Sequence, residues 1–246
     1  MTKIIVLAAG KGSRMDSDLP KVLSPINNRP MVEYLVDSIL ESKIDSEPIL
    51  VVSPDNKVVI AESLKKYSLG FAIQNEQLGT GHAVSSAKDL IEENIENIIV
   101  LYGDHPFISS SSIRKLLENH KSEVSMMTVE VDDFLGWKKN FYHWGRVVRN
   151  NSRVKEIVEF KDASDEIKEI KEVNPALFCF NKNWLFENIS KLKNNNSQKE
   201  YYLTDLIKMA FEQGLLINLT KIEAVEAIGV NSPEELEIAR GLVADR

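Results

Sequence analysis

Four short apolar runs constrain the fold most: Lys3–Ala9 (KIIVLAA), Pro48–Val52 (PILVV), Gly70–Gln74 (GFAIQ) and Asn97–Tyr102 (NIIVLY). None alternates apolar with polar residues, so each reads as a strand buried on both faces. Between and after them, apolar residues recur at helical spacing. Pro30–Ser42 pairs Met31 with Leu35, Val32 with Val36, and Val36 with Ile39 and Leu40, and Asn56–Tyr67, Thr80–Ile91 and Ser109–His120 read likewise as helices, before a strand at Val124–Val131. Buried strands alternating with helices predict an α/β, Rossmann-like fold: a mainly parallel mixed sheet with helices on both faces. Ligands of such sheets bind beyond the carboxyl ends of the strands. The loops after Ala9 and Gln74 and the Gly103-Asp104 turn after Tyr102 all lie at such ends.

The second half follows a different pattern. RVVR and VKEIVEF flank Asn150-Asn151-Ser152, which predicts a hairpin within a small lobe at roughly 132–172. Val173–Phe180 is apolar enough to return to the sheet, and Tyr201–Gln213 reads as a helix ending at Gly214. Lys193–Lys199 (KNNNSQK) is expected to be a mobile loop. A last helix starts at Ser232-Pro233-Glu234-Glu235, with a serine N-cap, proline at N1 and a capping-box glutamate. With 246 residues, no internal repeat and no long linker, the chain reads as one domain.

A net charge of −7 argues against non-specific nucleic-acid binding. No stretch approaches the roughly 20 apolar residues of a membrane span, and the N-terminus lacks the pattern of a signal peptide. The single cysteine, Cys179, lies in an apolar run and is expected to be a core thiol. These features predict a cytoplasmic protein without nucleic-acid or membrane partners; they leave room for a homo-oligomer. Against the acidic background, Lys11, Arg14 and Lys21 surround one glycine loop, LAAGKGSRMDSDLPKVL. Gly10 and Gly12 let backbone amides approach a ligand, and amides at a strand end form an anion-binding concavity. Met15 stands where a dinucleotide fingerprint needs its third glycine, and GxxxxGK[ST] is absent. A small polyanion fits this cluster better than a solvated turn.

The string L-A-A-G-x-G-[ST]-R-M…P-K resembles the signature of sugar-1-phosphate nucleotidyltransferases. More narrowly, the chain is similar to the uridylyltransferase domain of bacterial N-acetylglucosamine-1-phosphate uridylyltransferases. QNEQLGTGHA (74–83), YGDHP (102–106), Gly145-Arg146, IVEFKDA (157–163), Asn174, EYYLTD (200–205) and GVN (229–231) carry the similarity through the chain. The resemblance implies the nucleotide-diphospho-sugar transferase type of fold, Mg²⁺ as cofactor, and UTP with a hexose or aminosugar 1-phosphate, N-acetylglucosamine 1-phosphate included, as substrates. Leu7, Ala8, Ala9 and Gly10 would line the base and phosphates, with Arg14 and Lys21 on phosphate oxygens. Gln74, Gly79 and Thr80 would read the uracil edge, whose N3–H cytosine lacks. Tyr102, Gly103, Gly145, Glu159 and Asn174 would hold the sugar, and Asp104 and Asn231 the metal. Arg14, Lys21 and Asp104 form the implied catalytic set. His82 is given no catalytic role.

Three residues depart from that pattern. Pro175-Ala176 replaces threonine-glycine, and Trp144 replaces a tyrosine, which reshapes the wall expected near the sugar 2-substituent. These 246 residues show no hexapeptide repeats of an acetyltransferase domain, so only the nucleotidyl step is expected of them. Three alternatives remain: a CTP- or GTP-using relative, a silent nucleotide-sugar-binding homologue with a regulatory role, and a structural domain with no ligand.

Overall fold

The computed structural model describes residues 1–10, 12, 15 and 19–244, with side chains through residue 242. In chain order the strands are β1 (Thr2–Leu7), β2 (Pro25–Ile26), β3 (Arg29–Pro30), β4 (Ile49–Val52), β5 (Gly70–Ile73), β6 (Asn97–Tyr102), β7 (Val124–Glu130), β8 (Arg146–Asn150), β9 (Arg153–Val158), β10 (Glu172–Val173), β11 (Phe178–Asn181) and β12 (Ile217–Lys221). The α-helices are α1 (Met31–Ser42), α2 (Lys57–Ser63), α3 (Thr80–Ser85), α4 (Ser110–Glu118), α5 (Asp165–Lys168), α6 (Lys182–Ile189), α7 (Asp205–Glu212) and α8 (Pro233–Ala244). Short 3₁₀ segments complete the set, among them Gly136–His143.

Among the described residues ten strands join in one sheet, ordered β5-β4-β1-β6-β11-β7-β10-β8-β9, with β12 also paired to β7. The β5-β4-β1-β6 half is parallel throughout. Beyond β6, β11 runs antiparallel to both neighbours, and so does β10. The fold is Rossmann-like, as the apolar runs require. Their lack of alternation has its reason in two apolar layers. Ile4, Val6, Leu50, Ile99 and Leu101 pack with α1, α4 and α8 on one face, while Ile5, Val51, Ile98 and Val100 pack with α3, α6 and α7 on the other. Cys179 is fully buried in the first layer, and burial pushes its thiol well above the usual range. Asp45 Oδ2 accepts the Ile4 N–H at 2.8 Å and anchors the start of β1.

Several expected boundaries shift for physical reasons. Thr80–Ile91 is α3 followed by a 3₁₀ turn at Lys88–Leu90. Ser85 and Ser86 hydroxyls bond back to the carbonyls of Gly81 and His82, which favours an early stop. The helix predicted from Tyr201 starts at Asp205, because the backbone of Tyr201 bonds to residues 78 and 81 instead. The predicted hairpin forms as β8 and β9, with Asn151 left-handed at φ +55° in its turn. Residues 193–199 are tied down: Ser197 N–H donates to Asp162 Oδ1 at 3.1 Å, and Asn196 exchanges bonds with the Glu200 backbone. Helix α6 and strand β12 have no counterpart in the sequence expectation. Among the described residues no helix is long and apolar enough to cross a membrane.

Candidate active site

Strand β1 pairs with β4 on one side and β6 on the other, with Leu7 opposite Val51 and Tyr102. The chain therefore leaves this point of the sheet in opposite directions, which opens a crevice at the carboxyl ends. The Ala8 N–H donates to the Val51 carbonyl at 2.8 Å, and the buried Asn56 amide donates to the Ala8 carbonyl at 3.2 Å. These bonds fix the chain at Ala8, where β1 ends. Gly103 N–H donates to the Leu7 carbonyl at 3.0 Å, and a Cβ there would stand 3.0 Å from Val22 Cγ1. Gly12 is left-handed at φ +60°, and an added Cβ would meet Lys21 Cβ at 2.7 Å, so its bareness admits the Lys21 segment. Arg14 and Lys11 lie outside the described residues.

Two cavities open at these strand ends. The first, of about 380 Å³, is walled by Leu7–Gly10, Lys21, Gln74, Gly79 and Thr80. The second, of about 250 Å³, is walled by His143–Gly145, Glu159 and Asn174–Ala176. Tyr102, Asp104 and Asn231 belong to both walls. Gly103, expected to hold the sugar, lines neither cavity. Gln77 and Glu200, which the sequence reading did not single out, also face the first cavity.

At the junction the Lys21 ammonium donates to Asp104 Oδ2 at 2.5 Å and to Asn231 Oδ1 at 2.9 Å. Asp104 is buried, which alone would raise its pKa, but the Lys21 charge and hydrogen bond outweigh burial and hold the carboxyl below the usual range. Among the described residues its Oδ1 is buried without a hydrogen-bond partner, with His105 Nε2 3.7 Å away. The Val230 N–H donates to the Asp104 carbonyl at 2.9 Å, which joins segments far apart in sequence. Asn231 in turn donates its N–H to Glu235 Oε2, and Ser232 Oγ caps the Glu235 N–H at 3.2 Å. The capping glutamate reaches one residue beyond the N-cap and grips the Asn231 backbone. Among the described residues no group of three or more His, Cys, Asp or Glu side chains forms a ready-made metal cage.

On the first cavity's far wall, Gln74 Nε2 donates to the Gly79 carbonyl at 3.0 Å and lies 3.1 Å from His82 Nδ1. An amide nitrogen only donates, so Nδ1 accepts and the His82 proton sits on Nε2. With both amide hydrogens so directed, Oε1 is the part of Gln74 left for a ligand. His82 thus orients Gln74, a role its position in the motif does not reveal. Thr80 Oγ1 accepts the Leu203 N–H at 2.9 Å, and Gly79, at φ +112°, packs where a Cβ would stand 2.7 Å from the Tyr201 backbone.

In the second cavity, Thr204 donates to Glu159 Oε1 at 3.0 Å. Burial raises the Glu159 pKa; the Thr204 bond opposes it, and Asp205, Asp162 and Glu200 add to it. A Cβ on Gly145 would stand 2.8 Å from Ile157 Cγ2 and 3.4 Å from both Glu159 oxygens. Asn174 Oδ1 accepts the Ala176 N–H at 2.9 Å across Pro175. The His105 ring packs against Trp144 at 5.5 Å and Tyr102 at 6.1 Å, and burial lowers its pKa. Asn56, Thr204 and His105 escape the sequence reading; Thr204 and His105 stand inside quoted motifs, whereas Asn56 has no signal beyond a helix start.

A family model described as MobA-like NTP transferase domain matches residues 4–203. The chain is 37% identical over 245 residues to the bifunctional protein GlmU of Clostridium botulinum, covering 98% of this chain and 52% of that protein. It is 42% identical over 240 residues to GlmU of Fervidobacterium nodosum, covering 95% and 49%, and so spans about half the length of these relatives. Against GlmU of Desulfotalea psychrophila it is 36% identical over 242 residues, covering 96% and 68%. Two solved structures share the fold at 19% identity. One is described as a glucose-1-phosphate thymidylyltransferase from Bacillus anthracis, with a TM-score of 0.78 over 100% of this chain and 96% of that one. The other is the inositol-1-phosphate CTP transferase from T. maritima, with a TM-score of 0.74 over 99% and 95%. The matched span takes in the glycine loop, the β6 turn and both cavities' principal walls, and the chain belongs to the MobA-like NTP transferase family.

Proposed function

We propose that the chain is a cytoplasmic sugar-1-phosphate uridylyltransferase, one domain that transfers the uridylyl group of UTP to a hexose or aminosugar 1-phosphate. One observation carries the reading: two cavities meet at a wall made by Tyr102, Asp104 and Asn231, with the Lys21 ammonium on it. A phosphate oxygen of the sugar phosphate attacks the α-phosphorus of UTP. The new O–P bond forms as the bond to pyrophosphate breaks, in line. Phosphate is already nucleophilic, so no residue must act as base. The chain's share is positioning and charge neutralisation.

The nucleotide fits the first cavity. Gln74 Oε1 can accept from the uracil N3–H, which favours UTP over CTP, and the Leu7–Gly10 backbone leads to Lys21 and the phosphates. Glu159, Asn174 and the Gly145 backbone are placed to take sugar hydroxyls. The donor set fits Mg²⁺: Asp104 Oδ2 and Asn231 Oδ1 already converge on one cationic group, and among the described residues Asp104 Oδ1 is buried without a partner. Two hard protein oxygens with phosphates and waters completing the shell is the usual magnesium pattern. When bound there, the ion neutralises charge on the reacting phosphates. Lys21 then keeps its ammonium for the phosphate oxygens.

Pyrophosphate release over a grid of UTP, CTP, GTP and dTTP against glucose, glucosamine, N-acetylglucosamine and N-acetylgalactosamine 1-phosphates tests the reading. UTP with at least one sugar phosphate is expected to turn over, EDTA to abolish the reaction, and added Mg²⁺ to restore it. Asp104→Ala should lower turnover by roughly 10²-fold or more with the fold intact. No release from any pair, or full turnover without divalent metal, overturns it.

A further inference from the structure

Arg146 is fully buried at the start of β8, and its partners are carbonyls, not carboxylates. Its Nη1 donates to the carbonyls of Phe141 and Trp144, and Nη2 to that of Tyr142 at 2.7 Å. Nε donates to the Lys168 carbonyl at 3.1 Å. The first three acceptors close the 3₁₀ segment Gly136–His143, and Lys168 is the last residue of α5. Carbonyls at a helix end keep acceptor capacity and attract positive charge; that of Phe141 also accepts the Trp144 N–H at 3.1 Å. One guanidinium therefore caps two helix ends. The rings of Phe134, Phe160 and Tyr142 enclose it at 4.9, 5.7 and 5.8 Å.

The three residues before Arg146 in the chain, His143, Trp144 and Gly145, line the second cavity. The Gly145 carbonyl accepts the Asn174 N–H at 2.9 Å, so the same strand start also registers the opposite wall. Among the described residues, none of the hydrogen-bond or ring partners of Arg146 is Gln74, Gly79 or Thr80. We propose that Arg146 is a positioning residue for the acceptor cavity, fixing the His143–Gly145 wall from behind through two helix ends. This rests on the second cavity being the sugar-phosphate site.

Arg146→Lys and Arg146→Met, with the full chain, test the proposal. Calorimetric UTP affinity should stay within about twofold of wild type while the sugar-phosphate KM rises about tenfold, with kcat changed far less. Discrimination between the best and second-best sugar phosphates should narrow, and lysine should recover part of the loss because it keeps the charge without the fork. Amide hydrogen exchange should quicken at 136–144 and stay unchanged at 78–83. A folded variant with unaltered acceptor KM and exchange overturns the proposal. So does parallel loss of UTP affinity, or failure of both variants to fold, since either makes Arg146 a general anchor. If wild type accepts no sugar phosphate, the functional reading fails instead, and exchange still reports whether the wall is held.

Discussion

Ala176 sits at φ +60°, where a Cβ crowds the backbone and glycine is the usual occupant. Asn174 Oδ1 holds it there through the Ala176 N–H. Ala176→Gly should stabilise the protein by up to about 1 kcal/mol in chemical denaturation, offset in part by the freer unfolded chain; a destabilised variant would show that the methyl's packing outweighs the strain. Glu159 carries the opposite kind of cost. Burial raises its pKa, so the folded state keeps a proton that the unfolded chain has released. Stability then falls as pH rises from the ordinary glutamate range through the raised value. Glu159→Gln removes that fall. Its melting temperature should approach that of wild type at acid pH and exceed it increasingly toward neutrality, while sugar-phosphate turnover drops. A wild type that gains on the variant as pH rises would contradict this.

Among the elements, α8 bears directly on the site. Ser232 caps its first turn, and Glu235 from that turn holds the Asn231 backbone. Ser232→Ala should cost about 1 kcal/mol of stability and weaken Mn²⁺ binding in the presence of UTP, measured by calorimetry; unchanged metal affinity would separate the cap from Asn231. This cap was legible because serine, proline and glutamate each act locally. So were β1, β4, β5 and β6, whose burial on both faces leaves an unbroken apolar run. Helix α6 was not: KNWLFENI gives only Trp184, Leu185 and Ile189 as apolar buried positions, and Asn188 is buried beside them. Its amide donates to the Trp184 carbonyl one turn back, and its Oδ1 accepts from Gln213 of the segment after α7, a partner that only tertiary structure supplies. Asn56 was hidden for the same reason. Its partner, the Ala8 carbonyl, comes from a different strand end, and no spacing rule reports that.

At the scale of the molecule, the parallel half of the sheet backs the first cavity, and the strands beyond β6 carry most of the second. Trp144, Pro175 and Ala176 all lie in the second. Pro175→Thr with Ala176→Gly should therefore change the ranking of sugar 1-phosphates while leaving the UTP KM within about twofold. Equal changes for both substrates would refute that separation. Glycines near both cavities are closely packed. A Cβ at Gly12 or Gly79 would stand 2.7 Å from a neighbour, and one at Gly103 would stand 3.0 Å from Val22. In the other half, at position 176, a methyl group is already accommodated. The second cavity is not loose throughout, since a Cβ on Gly145 would stand 2.8 Å from Ile157, so position 176 is where its wall already carries a methyl group. If the second cavity takes the acceptor as proposed, substitutions confined to 174–176 can alter which acceptor is used without touching the residues that wall the first cavity.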